Sequence, residues 1–213
     1  MVIDHRRGVA DPVVALTFDD GPSEWTVPVL EHLARHDARA TFFTLGAYVE
    51  ARPDVVRRIR DQGCEVGNHT YSHPRLGEAD EEVVAQELSR TSWLIEETIG
   101  FRPSVWRAPY LSWPAAESSA FAMGMSAIGC NVVPGDWEQG RTAHSIAEHV
   151  LAEVQPGDIV LLHDGRPPHR NDPSAPTREE TAGAVGLILS GLAKRGLRAV
   201  TVSELLSQTA RAH

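Results

Sequence analysis

Short apolar runs rich in β-branched and aromatic residues alternate along the chain with longer segments whose apolar positions recur every three or four residues. The runs are Val13–Phe18, Ala40–Leu45, Cys64–Gly67, Ser104–Arg107, Met125–Cys130, Asp158–Leu162 and Leu197–Val202, and each reads as a strand. The intervening pattern predicts helices over Thr26–His36, Pro53–Gln62, Glu81–Ile99, Ala115–Met123, Ala143–Val154, Arg178–Arg195 and Ser203–Thr209. Asp80 and Thr142 stand where a helix N-cap belongs, and Gly63, Gly100 and Gly196 stand just past helix ends. On the longest helix, Val84, Leu88, Thr91, Ile95 and Thr98 share one face, the one expected against a sheet. Strand followed by helix, repeated along the whole length, predicts a parallel sheet of the α/β class. Periodicity leaves open whether that sheet is open and doubly wound or closed into a barrel. The stretch Gly165–Pro176 has four prolines and no period, so it reads as a loop.

Composition narrows the picture. A chain of 213 residues with 42% hydrophobic content predicts one domain with a substantial core. No apolar run reaches the about 18 residues a membrane helix needs. Met1–Asp11 is polar and lacks the apolar stretch of a secretion signal, so the expectation is a cytoplasmic protein, or a secreted one if a leader has been removed. Net charge is −9, with no long basic run, which argues against nucleic acid or an anionic membrane surface as partner. The two cysteines, Cys64 and Cys130, lie far apart without metal spacing and are expected as free thiols. Oligomeric state leaves no trace in the sequence.

The chemistry lies in a few polar residues. Asp19 and Asp20 stand where the first apolar run ends. Asn68-His69-Thr70-Tyr71-Ser72-His73-Pro74 places two histidines four positions apart just past the third run, in a turn rather than a helix. One carboxylate with two imidazoles is a metal-binding set with open coordination positions, and the second carboxylate is left to act as a base on the attacking water. Arg107 ends the fourth run, Asp136 follows the fifth and His163 follows the sixth. All of these project from the carboxyl ends of strands, the edge where active sites of parallel α/β folds form. Together they point to metal-assisted hydrolysis.

Thr17-Phe18-Asp19-Asp20-Gly21-Pro22-Ser23, His69-Thr70-Tyr71-Ser72-His73, Arg107-Ala108-Pro109-Tyr110, Asp136-Trp137 and Leu161-Leu162-His163 occur in the order of the five motifs of the polysaccharide deacetylases, the carbohydrate esterase family 4 or NodB-homology group. The resemblance runs from about Val13 to about Leu206. It implies a distorted (β/α) barrel with fewer than eight complete units, here about seven. It implies that Asp20, His69 and His73 hold a divalent metal, with zinc favoured and cobalt or nickel also compatible. By the same resemblance Asp19 is the catalytic base and Arg107 holds it. The Tyr110 backbone N–H faces the oxyanion, and Leu161 lines the acetyl pocket. His163 is the general acid, and Asp136 fixes its tautomer and raises its pKa. Trp137 and Trp113 are candidate platforms for a sugar face. The chain departs from the usual pattern after Tyr110, where Leu111-Ser112-Trp113 replaces the customary glycine.

The resemblance implies removal of the N-acetyl group from an N-acetylated amino sugar or chitooligosaccharide-like glycan, with release of acetate. Alternatives are O-deacetylation of the acetylxylan type, deacetylation of a small glycosylated metabolite in the cytoplasm, and a non-catalytic sugar-binding module. The last is disfavoured because Asp19 and His163 are both present.

Overall fold

The computed structural model describes residues 1–114, 124–168 and 176–208. Its centre is β1 (Val13–Gly21), every residue of which is buried. A strand covered on both faces needs apolar residues at successive positions, which is why Val13–Phe18 reads as a run rather than an alternation. Its two faces still differ. Val14, Leu16 and Phe18 belong to the main core with the helices, while Val13 and Ala15 pack inside the sheet's curve with Phe43, Val105, Ile128, Ile159 and Val200. The period of two continues that inner row into Thr17 and Asp19, so the apolar plug of the barrel becomes polar towards the strand's carboxyl end.

The other strands are β2 (Thr41–Thr44), β3 (Glu65–Asn68), β4 (Val105–Trp106), β5 (Ser126–Ala127), β6 (Ile159–His163) and β7 (Arg198–Val200). They form one sheet in the order β5-β4-β3-β2-β1-β6, with β7 paired to the start of β1, and every ladder is parallel. Among the described residues no ladder joins β5 to β6; parallel bridges Ile3↔Ile128 and Val132↔Val160 lie beside that seam. The fold is a distorted (β/α) barrel.

The helices are α1 (Thr26–Arg35), α2 (Gly46–Ala51), α3 (Pro53–Asp61), α4 (Glu81–Ile99), α5 (Ala143–Glu153), α6 (Glu179–Lys194) and α7 (Val202–Ser207). Thr142 caps α5 in a reciprocal box with Ser145. Gly100 ends α4 at φ 87°, a left-handed conformation that only glycine adopts without cost. The structure corrects the sequence reading in three places. Asp80 precedes α4 but makes no side-chain cap hydrogen bond. α2 has no counterpart among the predicted helices, because six residues are too few to display a helical period. β1 runs three residues beyond its apolar core, because ladder pairing with β2 and β6 carries Asp19 into the strand. The predicted helix Ala115–Met123 lies outside the described residues, as does His169 of the proline-rich loop.

Candidate active site

The carboxyl end of β1 supplies both carboxylates through a local irregularity. In a regular strand Asp19 and Asp20 would face opposite sides. Here the register with β2 slips between Asp19 and Gly21, and Asp20 has φ 69°. This bulge turns both side chains into one cavity of about 450 Å³ at the strands' carboxyl edge. His69 and His73 reach the same cavity from the turn after β3.

Asp20, His69 and His73 form a buried triad whose ligand atoms all lie within 4.8 Å of one another. His73 Nε2 is 3.1 Å and His69 Nε2 3.4 Å from Asp20 Oδ1. His69 Nδ1 stands 2.9 Å from the Arg107 carbonyl oxygen, which can only accept, so Nδ1 carries the hydrogen and Nε2 offers a lone pair to the triad. Asp20 Oδ1 is buried with no hydrogen-bond partner among the described residues. Lone pairs of one carboxylate and two imidazoles converging on a buried point repel one another unless a cation sits between them, so these residues fit a divalent metal. Burial alone would raise the Asp20 pKa, but the His69 and His73 rings, which donate to the carboxylate when the nitrogens facing it are protonated, and His163 beyond hold it well below the ordinary carboxylate range. Burial keeps the His73 pKa below the usual histidine value, which favours the neutral, metal-competent ring.

Asp19 is fixed by Arg107, whose side chain is fully buried and donates in four directions. Nη1 reaches Asp19 Oδ1 at 2.8 Å and Thr17 Oγ1 at 2.7 Å, Nε the Ile128 carbonyl at 3.1 Å, and Nη2 the Gly129 carbonyl at 2.7 Å. The other oxygen, Oδ2, lies 3.7 Å from His69 Nε2.

Beside Asp19 in the ladder of β1 with β6, His163 Nδ1 donates to Asp136 Oδ1 at 2.9 Å. Asp136 Oδ2 accepts from the His163 backbone N–H and from Thr181 Oγ1, both at 2.8 Å. Burial alone would lower the His163 pKa, but the Asp136 carboxylate outweighs it and raises the value. Asp136 is correspondingly held below its ordinary value in spite of its burial, by His163, Arg178 and Thr181. Asp164, next in the chain, packs against Gly21 and accepts from Thr26 Oγ1; burial pushes its carboxyl up to about 7.

Tyr110 and Leu111 follow β4 in consecutive left-handed conformations, φ 57° and 52°. The Tyr110 ring lies edge-on to His73 at 4.6 Å with the Arg75 guanidinium 4.2 Å above its centre. Leu161 and Val133 give the cavity an apolar patch, and Trp137 stands edge-on to His163 at 5.1 Å. Trp113 does not line the cavity; its ring packs on Trp106 at 5.1 Å. Sequence reasoning missed Arg75, Val133, Arg166 and Arg178 in the lining, and Thr17 and Thr181 as supports. Thr181 sits in the first turn of α6, where nothing in its neighbours marks it as a partner of Asp136.

Comparison with known proteins places the chain in a family. The family model for polysaccharide deacetylase matches residues 6–128. A chitooligosaccharide deacetylase of Sinorhizobium fredii is 40% identical over 198 residues, covering 90% of either chain. A peptidoglycan-N-acetylglucosamine deacetylase of Bacillus cereus is 32% identical over 90% of this chain and 67% of its own. A crystal structure of a peptidoglycan N-acetylglucosamine deacetylase superposes with a TM-score of 0.86 at 29% identity, covering 99% of this chain and 95% of that one. The chain belongs to the polysaccharide deacetylase family.

Proposed function

We propose that this protein hydrolyses the N-acetyl group of N-acetylglucosamine residues in an oligosaccharide or glycan, releasing acetate and a free amino sugar. The observation that carries this reading is a carboxylate and an imidazole side by side in one cavity that also holds the triad: Asp19 bonded to Arg107, and His163 bonded to Asp136. The relatives named for chitooligosaccharide and peptidoglycan N-acetylglucosamine deacetylation support the substrate class.

Asp20, His69 and His73 would hold the divalent metal. We take it to be zinc, because two neutral imidazoles and one carboxylate suit it, with cobalt and nickel as working substitutes. When bound, the cation supplies Lewis acidity to the acetyl carbonyl and to the attacking water. The residues of the chain do the rest. Asp19 takes the proton from the attacking water; Arg107 holds one of its oxygens, and the other remains on the triad side. The backbone N–H of Tyr110 is assigned to the oxyanion, a contribution of about 10²–10³ in rate for such donors. Leu161 and Val133 receive the acetyl methyl. His163 passes its proton to the departing nitrogen, and Asp136 keeps the ring charged and oriented until it does so. An amine is a poor leaving group unless protonated, so the raised His163 pKa suits an amide more than an ester.

The test is acetate release by zinc-loaded protein from N-acetylglucosamine oligomers, acetylated xylan and an activated acetyl ester. Chelator-sensitive release from the oligomers supports the reading. Release from xylan alone makes the protein an O-deacetylase, and release from the activated ester alone moves the substrate to another acetylated molecule.

A further inference from the structure

We propose that Glu87, in the second turn of α4, is a positioning residue of the metal triad: its carboxylate holds the His69–His73 turn in the shape that brings both imidazoles to Asp20. This rests on the triad's reading as a metal site.

The turn is intrinsically unfavourable. Thr70 has φ 70° and His73 φ 66°, left-handed conformations that a β-branched threonine in particular avoids. Such a shape persists only where its surroundings over-determine it. The backbone amides show how. His69 N–H donates to the Thr44 carbonyl at 3.0 Å, as the last rung of the sheet. Thr70 N–H donates to Asn68 Oδ1 at 2.8 Å and His73 N–H to Thr70 Oγ1 at 3.2 Å, both within the turn itself. The two amides between them depend on Glu87. Tyr71 N–H and Ser72 N–H both donate to its Oε2, at 2.7 and 2.8 Å, and Ser72 Oγ donates to its Oε1 at 2.7 Å. Among the described residues no other side chain from outside residues 68–73 bonds a backbone N–H of the turn. The acceptor is anionic, and charge-assisted bonds of this kind are about twice as strong as neutral ones.

The opposite side of the turn is also fixed. The first amides of α2, Gly46 and Ala47, donate to the carbonyls of Thr70 and Tyr71 at 2.9 and 3.2 Å. A side chain at Gly46 would meet Thr91 Oγ1 at 2.5 Å and Tyr71 Cδ2 at 2.7 Å, so α2 lies against the turn without slack. Tyr71 is further held by its hydroxyl to Glu50 at 2.9 Å and by the Arg90 guanidinium 3.5 Å above its ring. Glu87 therefore works against a rigid backing. Release of its bonds leaves the Tyr71 and Ser72 amides without that acceptor and the turn between the two histidine ligands held from the α2 side alone.

The experiment measures zinc affinity by chelator competition for the full chain and for Glu87→Gln, Glu87→Ala and Ser72→Ala, with thermal unfolding of the metal-free proteins alongside. Loss of an outer partner of a metal ligand typically weakens affinity about 10–100-fold. That range is expected for both Glu87 variants, with a smaller loss for Ser72→Ala, which removes one of the three bonds. At saturating zinc the turnover number should return to near the unmutated value, a split that a general loss of fold does not produce. Zinc dissociation constants within twofold of the unmutated protein for both Glu87 variants overturn the proposal, as does a turnover loss that saturating zinc does not repair. Should Glu87→Ala fail to fold, Glu87→Gln and Ser72→Ala decide. An unmutated protein that binds no zinc also overturns it. One that binds zinc through the triad but releases no acetate sinks the proposed function and leaves Glu87 in its role.

Discussion

Replacing Arg107 by methionine keeps a similar side-chain length and removes one buried cation. The guanidinium is fully buried and satisfies Asp19, Thr17 and the Ile128 and Gly129 carbonyls at 2.7–3.1 Å. Without it the Asp19 carboxylate, only 4% exposed, loses its cationic partner, and two carbonyls lose a donor. Breaking a buried ion pair from one side costs about 3–5 kcal/mol, because the remaining charge keeps its desolvation penalty. For a domain of this size each kcal/mol lowers the melting temperature by about 2–4 °C, so the fall should be about 10 °C. The assay is thermal and urea unfolding in chelator, which isolates the pair from bound metal. Arg107→Met combined with Asp19→Asn should cost less than the sum of the two single changes, by about 2 kcal/mol, because the stranded charge is gone. A single-variant loss under about 1 kcal/mol, or strict additivity in the double variant, would refute the view that Arg107 compensates a buried Asp19 charge.

Three further substitutions have expected outcomes. Asp136→Asn removes the charge that raises the His163 pKa, so the basic limb of the pH–rate profile should move to lower pH. The His163–Asp136 pair stabilises the fold fully below the unfolded histidine value of 6.5, and that contribution is lost as pH rises through the raised folded value. The Asp136 contribution is present above 3.8 and lost as pH falls through its depressed value, so the urea-stability difference between about pH 5 and pH 9 should shrink in Asp136→Asn. His163→Ala should depress amide hydrolysis far more than hydrolysis of an activated ester, measured as acetate release; equal losses would contradict the acid assignment. In Gly21→Ala the new methyl would collide with the Asp164 carboxylate, so stability should fall by about 1–3 kcal/mol and recover in part with Asp164→Ala, as read by urea unfolding.

The strands and the order of the site residues were legible because a parallel barrel writes both in local signals. Strands buried on two faces become apolar runs, and chemistry gathers where those runs end. Asp19, Asp20, His69, His73, Arg107, Asp136 and His163 were all named on that basis; five of them line one cavity, with Arg107 bonded behind Asp19 and Asp136 behind His163. The bulge that turns Asp19 and Asp20 to the same side was not legible, because it is a property of β1's pairing with β2 rather than of the dipeptide. Thr181, Glu87 and Arg178 were missed for a related reason. Each lies on or beside a helix whose pattern is set by the core, and each acquires its role only when that helix docks. Trp113 illustrates the converse: an aromatic beside a motif suggested a sugar platform, and it packs against Trp106.

The proposed mechanism makes Asp19 a base beside a metal it does not ligate. The most direct test compares Asp19→Asn with the unmutated protein on two readouts from the same zinc-loaded samples, zinc affinity and acetate release from an N-acetylglucosamine oligomer. Zinc affinity within a few-fold of the unmutated protein is expected, with a turnover loss of about 10²–10⁴, the usual share of a general base. Near-normal turnover in Asp19→Asn, or loss of zinc together with activity, would contradict the mechanism.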